Sequence, residues 1–354
     1  MRWRDGIRLG PVVLGNRWQA ASPYKLLLSL TDRCTHRCRH CATWRRDPGD
    51  ELTPDEVDRL LASAAGLRWL DLTGGEITAR PDFLELAGAV AAHAGRLIFL
   101  HFATSGSDPG RVLRLTERLC AASGPAVVVT VSLDGDEPLH DHIRGRKGAF
   151  ASAVDTARRL HRLPGVEVYL GTTLTPDNAD HLERIRAALR SALPELADSR
   201  WHVNVMNRSR HFFGNADHPL PDREQVLAFT RFVERARGRS LDPFAAAERL
   251  FLRTLRWYLR QGTAPLPCQA LKASVFVSPS GQAFPCHILD WPLGDLRALE
   301  MDLQALMRSP AARAARARIV RERCSRCWTP CEAYHAMLAA PMRTLIRSLE
   351  RAAC

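Results

Sequence analysis

Up to about Asn207, short apolar runs rich in β-branched and aromatic residues alternate with longer stretches whose apolar positions recur at helical spacing. The strand-like runs are Lys25–Leu30, Arg68–Leu72, Leu97–Ala103, Ala126–Leu133, Val166–Leu174 and Trp201–Val205. Between them Pro54–Ala65, Pro81–Ala94, Arg111–Ala122, Phe150–Leu163 and Ala179–Leu193 read as helices. Thr53-Pro-Asp-Glu is a strong helix start: a capping hydroxyl, Pro at the first helical position, then acids in the first turn. Strict alternation predicts an α/β fold with a parallel sheet and right-handed crossovers. Six units are too few for a closed eight-fold barrel. A partial (β/α)6 TIM-like barrel fits, with ligands expected at the carboxyl ends of its strands.

From Asp222 to about Arg260 the chain reads as helix. Pro265, Pro267 and Cys268 then open a region of different character. There Ala273-Ser-Val-Phe-Val-Ser-Pro-Ser-Gly-Gln-Ala-Phe-Pro-Cys286 places two β-rich runs around a Pro-Ser-Gly turn, a hairpin signal. The expected division is an extension over 1–24, the barrel over 25–215, a helical connector over 216–262 and a smaller α+β domain over 263–354. Truncation near 262 is then expected to remove any metal centre of the C-terminal domain and to leave the one in the barrel.

Composition narrows the class. With 46% hydrophobic and 25% charged residues the chain has the balance of a soluble globular protein. It has no apolar stretch near the ~20 residues of a membrane span. Met-Arg-Trp-Arg-Asp-Gly-Ile-Arg lacks the apolar core of a signal peptide. Ten cysteines in metal-like clusters point to a reducing cytoplasm. The net charge of +12 invites a nucleic-acid reading. The excess is arginine spread along the chain, however, with only Lys25, Lys147 and Lys272 as lysines. Its densest patch, 308–323, reads as a solvated helix face, so a nucleic-acid partner is not expected. Met342–Arg351 is a short basic amphipathic helix, expected to pack on its own domain.

The chemistry concentrates in cysteines. Cys34, Cys38 and Cys41 follow the first strand directly, at the sheet end where ligands bind. Three thiolates there can grip one soft metal centre. A four-iron cluster on three cysteines keeps one iron open, as a catalytic centre requires. Zinc with His36 or His40 as fourth ligand is the alternative. Asp71-Leu-Thr-Gly74-Gly75-Glu76 ends the second strand: the glycines allow close approach to the backbone, and Glu76 can accept from an ammonium. Ser132 and Asp134 stand at the end of the fourth strand, suited to hold ribose hydroxyls, and Arg144 can pair with a carboxylate. A plain turn and a loop salt bridge are the simpler readings. Cys268 and Cys286 bracket the hairpin, and Cys324-Ser-Arg-Cys327-Trp-Thr-Pro-Cys331 follows, either a second cluster site or a structural zinc site.

The C-x3-C-x2-C spacing resembles that of the radical S-adenosylmethionine (radical SAM) superfamily. Gly74-Gly75-Glu76 resembles its glycine-glycine-glutamate motif, with Ile77 where many relatives have Pro. The resemblance implies that Cys34, Cys38 and Cys41 hold a 4Fe-4S cluster and that Glu76 meets the amino group of S-adenosylmethionine. It also places His40 against the adenine. The C-terminal cysteines and Trp291-Pro-Leu-Gly-Asp-Leu-Arg297 resemble the SPASM domain or its shorter twitch form. SPASM domains carry seven cysteines, whereas this region has five plus Cys354. Cys268, Cys286, Cys324 and Cys327 suffice for one auxiliary 4Fe-4S cluster, with Cys331 as a substitute ligand or free. The implied activity is reductive cleavage of S-adenosylmethionine to a 5′-deoxyadenosyl radical, which takes a hydrogen atom from substrate. The electron donor would be of the flavodoxin or ferredoxin kind.

His287 follows Cys286 and is expected to act as general base near the substrate, since imidazole titrates near ~6.5. The short stretch before the first strand tilts the substrate expectation toward a small polar molecule such as a sugar or aminocyclitol, by analogy alone. A peptide substrate is the close alternative. The loop Asn207–Asn215 lies at the barrel mouth, where its histidine and phenylalanines would touch substrate or simply pack. A non-enzymatic, zinc-stabilised binding module is the rival from another class.

Overall fold

The computed structural model describes residues 3–15, 23–121, 124–196, 200–236, 243–324 and 327–350. The barrel strands are β1 (Lys25–Ser29), β2 (Trp69–Thr73), β3 (Phe99–Thr104), β4 (Ala126–Ser132), β5 (Val166–Leu174) and β6 (Trp201–Val205). They pair in sequence order and in parallel. The helices of this half are α1 (Trp3–Gly15), α2 (Pro54–Ser63), α3 (Phe83–Ala92), α4 (Pro109–Cys120), α5 (Glu137–Arg144), α6 (Ala149–His161) and α7 (Leu182–Ala192). The expected partial α/β barrel is therefore what the chain forms. Alternation along β4 shows its two faces: Val127, Val129 and Val131 are buried beneath the helices, while Thr130 and Ser132 are half-buried on the other face. α2 starts as its sequence dictates, with Thr53 and Glu56 exchanging bonds in a capping box and Pro54 behind them.

The second half is α8 (Arg223–Ala236), α9 (Pro243–Gln261), β7 (Ser274–Val277), β8 (Gln282–Phe284), β9 (Gly294–Asp295), α10 (Leu303–Arg308), α11 (Pro310–Arg321), α12 (Pro330–Ala339) and α13 (Pro341–Leu349). The hairpin is not a sheet of its own. β7 pairs in parallel with β1, so one nine-stranded sheet runs β6-β5-β4-β3-β2-β1-β7-β8-β9. The register sets Lys25 opposite Ser274 and Leu27 opposite Phe276, and Leu27, Phe276 and Phe284 form one buried cluster. The principal core likewise continues from the barrel helices through Cys286, Leu289 and Trp328. α1, which the sequence reading left inside an extension, packs Leu9 and Val13 against Tyr24, Ile98, Phe99 and Ala273. No described helix is long and apolar enough to cross a membrane.

Candidate active site

The Cys34–Cys41 loop is held on four sides. Glu51 takes Thr31 Oγ1 at 2.5 Å and the Asp32 amide at 3.0 Å, fixing where the chain leaves β1. The turn after β2 comes next: the Gly75 amide donates to the Thr31 carbonyl at 2.7 Å and the Glu76 amide to the Arg33 carbonyl at 2.8 Å. On the third side the Arg37 and Arg39 amides donate to the Arg144 and Ile143 carbonyls. These are carbonyls of the last turn of α5, which have no partner within the helix. Finally the Ala42 amide donates to the Phe213 carbonyl at 2.8 Å, and Asn215 Nδ2 to the His40 carbonyl at 2.9 Å.

This clamping explains the glycines. A Cβ on Gly74 or Gly75 would collide with the backbone of Thr31 or Arg33. What lies against this turn is the cysteine loop itself, so the glycines serve the loop before any ligand. Gly145, at φ 60°, closes α5 in the left-handed conformation, and a Cβ there would collide with the Arg37 carbonyl.

Burial tunes the loop. Cys34 is pushed up to about 12, first by burial and then by the neighbouring Cys38, Glu76 and Cys41. Cys38 is also raised by burial, against the pull of Arg144, whose Nη1 lies 3.8 Å from its sulfur. Buried thiols of this kind gain from surrendering their protons to a metal centre. Arg144 is itself buried and pairs through Nε with Asp134 Oδ2 at 2.7 Å. Burial works against the Arg144 charge, but Asp134 and Cys38 outweigh it and raise its pKa. Burial also opposes the Asp134 charge, and Arg144, His40 and His140 more than compensate. Asp134 Oδ1 accepts from the Thr173 amide, so both its oxygens are engaged by protein.

Glu76 is buried, and its carboxylate already accepts from Thr78 Oγ1, Thr104 Oγ1, Ser105 Oγ and the Ser105 amide at 2.6–3.0 Å. These donors come from the ends of β2 and β3 and fix the carboxylate as a rigid anionic wall. His40 is half-buried and driven down to about 4, by burial first and Arg144 second, so it is neutral. Ser132 is half-buried at the end of β4. Gly74, Gly75, Glu76, Asp134, Arg144 and His40 are thus gathered around the cysteine loop, with Ser132 at the adjoining strand end.

The second cysteine group lies near the other end of β1. The Cys268 thiol is hydrogen-bonded to Cys324 and also influenced by Cys286 and Cys327. Cys327 is pushed up to about 12 by burial, with Glu332 and Cys324 adding to it. Cys268, Cys324, Cys327, Trp328 and Glu332 line a small pocket. Cys331 is set apart: after burial, the groups acting on it are Lys25, Asp71 and Glu332. Cys354 lies outside the described residues.

The two groups fit iron–sulfur ligation by donor chemistry: three clustered thiols with an adjacent cation, and three thiols lining a pocket with Cys286 acting on them from nearby. Among the described residues, no three His, Cys, Asp or Glu side chains converge on a single-ion site. His36, the suggested zinc ligand, is fully buried with neither ring nitrogen hydrogen-bonded.

His287 is buried, with its ring edge-on to Phe212 and Phe213. Burial first, then Lys25 and His211, drive it down to about 3. That makes it a weak base, mismatched to proton transfer at neutral pH, and its setting does not favour the expected general-base role. The Asn207–Asn215 loop spends its aromatic rings on packing: His211 stacks on Phe284 and Phe212 meets Phe276 edge-on.

The sequence reading missed a buried polar group on the inner face of the sheet. Lys25 Nζ pairs with Asp71 at 2.7 Å, donates to the Cys331 carbonyl at 2.9 Å and lies over the Trp69 ring. Trp69 and His101 also hold Asp71. Glu332 accepts from Ser274 and is raised to about 7 by burial. One signal was present: a lysine opening an otherwise apolar run, in a chain with only three lysines.

The family model described as the radical SAM superfamily matches residues 28–189, and the SPASM iron–sulfur cluster-binding domain matches 268–328. The PqqA peptide cyclase of Xanthomonas campestris strain B100 is 32% identical, over 75% of this chain and 67% of its own length. The mycofactocin maturase MftC of Mycolicibacterium smegmatis is 30% identical over 47% of this chain and 41% of its own length. Streptococcus suis SuiB bound to precursor peptide SuiA shares the fold at a TM-score of 0.60, with 14% identity, covering 89% of this chain and 70% of that one. The matched family models and relatives define an iron–sulfur enzyme of S-adenosylmethionine chemistry. The chain belongs to the radical SAM superfamily, in its SPASM-bearing branch, and its cofactors are 4Fe-4S clusters and S-adenosylmethionine.

Proposed function

We propose that this enzyme oxidatively modifies a peptide. The observation that carries the reading is that relatives matching 77% and 75% of this chain bear the name PqqA peptide cyclase. The mycofactocin maturase points the same way. A sugar or aminocyclitol substrate rested on analogy and is the weaker reading.

When bound, the cofactors supply hydrogen-atom abstraction from an unactivated carbon. The residues position and shield. Cys34, Cys38 and Cys41 hold the first cluster. Glu76, locked by Thr78, Thr104 and Ser105, offers a fixed negative face to an ammonium group. Arg144, braced by Asp134, sits over Cys38 and stabilises its thiolate. His40 and Ser132 complete the wall on the barrel side. Cys268, Cys286, Cys324 and Cys327 hold the auxiliary cluster, and Cys331 stays outside it. Electrons enter from a small carrier of the flavodoxin or ferredoxin kind.

The test is anaerobic incubation of reduced holoenzyme and S-adenosylmethionine with peptides encoded beside its gene and, in parallel, with a panel of sugars and aminocyclitols. A peptide losing two hydrogens as 5′-deoxyadenosine accumulates is the expected result. Turnover of the small molecules alone would overturn the proposal.

A further inference from the structure

Three consecutive residues join the two cysteine sites. At one end, His211 Nε2 meets the Cys286 carbonyl at 3.0 Å, with its ring stacked on Phe284 at 4.2 Å between centroids. At the other, the Phe213 carbonyl accepts from the Ala42 amide at 2.8 Å and lies 3.7 Å from the Cys41 sulfur. Between them the Phe212 carbonyl accepts from Thr43 Oγ1 at 3.1 Å, and the His211 carbonyl from Arg46 Nη1 at 2.8 Å. Donation to a carbonyl puts the proton on Nε2. Nδ1 is then an acceptor facing Ser209 Oγ, which itself accepts from the Phe212 amide at 3.1 Å. The three carbonyls and both ring nitrogens of this short segment are therefore used, and the two ends are used on different cysteine loops.

The register shows why such a link matters. Cys34–Cys41 follows the carboxyl end of β1. β8 runs back antiparallel to β7, with Phe284 opposite Phe276, which brings Cys286 toward the level of Lys25 at the start of β1. The sites are thus offset along the strand direction by about the length of the strand, roughly 17 Å at ~3.3 Å per residue. The Cys34–Cys41 loop has no regular secondary structure of its own to hold that distance, apart from a single 3-10 turn just beyond it at Thr43–Arg45.

We propose that His211 is a positioning residue, and that residues 211–213 act as a strut fixing the auxiliary cluster at a set distance from the first cluster. The proposal rests on the two-cluster reading above. It goes further in assigning the intercluster geometry to the loop after β6 and not to the sheet alone.

The experiment uses reconstituted full-length protein with both clusters reduced, and reads their mutual spin-relaxation enhancement by electron paramagnetic resonance. That effect falls with the sixth power of distance, so a ~2 Å displacement at ~17 Å halves it. His211→Phe keeps the stacked ring and removes the donor. It should retain full iron while the enhancement falls about twofold and its distribution broadens. His211→Gln, which restores a donor near the same position, should recover the wild-type value. A fully loaded His211→Phe protein with unchanged enhancement overturns the strut. Should His211→Phe lose iron, Thr43→Val decides by loosening the other end: a reduced enhancement upholds the proposal, an unchanged one overturns it. Failure of the underlying reading looks different, since wild-type protein would then bind about four irons and not about eight.

Discussion

The most constrained residues at the first cluster are those with the least side chain. Gly75 has no room for a methyl group because the Arg33 carbonyl occupies the place a Cβ would take, and Gly74 stands at φ 143° under Thr31. Gly75→Ala would push the cysteine loop off its second anchor, where the amides of Gly75 and Glu76 donate to it. We expect cleavage of S-adenosylmethionine to fall about 100-fold, the scale of ~1 Å misplacement at a reacting centre. Iron should fall below about eight per chain as a fraction of the protein fails to hold its first cluster. Gly110→Ala, whose added methyl would meet Asp108 Oδ1 only at ordinary contact distance, is the control. Equal iron and activity in both variants would sink the argument. The importance of Gly74-Gly75-Glu76 was legible in sequence, but its physical reason was not, because the partner is backbone from another strand end. Arg144 and Asp134 were likewise visible as polar residues near a strand end. Their pairing depends on α5 bringing Arg144 back over β4, which local pattern does not encode.

Elements are joined across the proposed domain boundary by one arginine. Arg297, just after β9, binds Glu56 in the first turn of α2 through Nε at 2.7 Å and reaches Asp50 through Nη1 at 2.9 Å. The Arg297 hydrogen bonds, ahead of the opposing effect of burial, depress Glu56 to about 2. Since the folded value lies below the unfolded ~4.3, the stabilisation is fully present above about pH 5 and is lost as pH falls toward 2. The pair is partly solvent-exposed, so Arg297→Met should cost only about 0.5–1 kcal/mol at pH 7. In urea unfolding, the gap between wild type and variant should hold from pH 7 to about 5 and narrow below ~4.3. A gap that widens on acidification would contradict the assignment. The start of α2 was readable because its cap is local. The clasp by Arg297 was not, since that residue lies 241 positions away along the chain.

At the scale of the whole molecule, the second cysteine region is built into the barrel. The sequence reading put a boundary near 262 because composition changes there. It could not show that β7 would settle on the free edge of β1, because pairing partners of a parallel strand are not written in local periodicity. The consequence is a dependence of the first cluster on residues far from it. Without residues 263–354, β1 becomes an edge with Leu27 stripped of Phe276 and Phe284, and Lys25 loses the Cys331 carbonyl. The cysteine loop leaves that same strand, and its fourth anchor, the 207–215 loop, loses its hold on Cys286. Truncation at 262 is therefore expected to abolish both clusters, contrary to the behaviour of independent domains. Full-length protein with Cys268, Cys286, Cys324 and Cys327 all changed to Ser should behave differently, because the sheet remains whole. It should keep about four irons and still cleave S-adenosylmethionine. Iron analysis and 5′-deoxyadenosine yield on the two proteins decide the matter: a soluble truncated chain carrying about four irons would show that the barrel holds its cluster without the added strands.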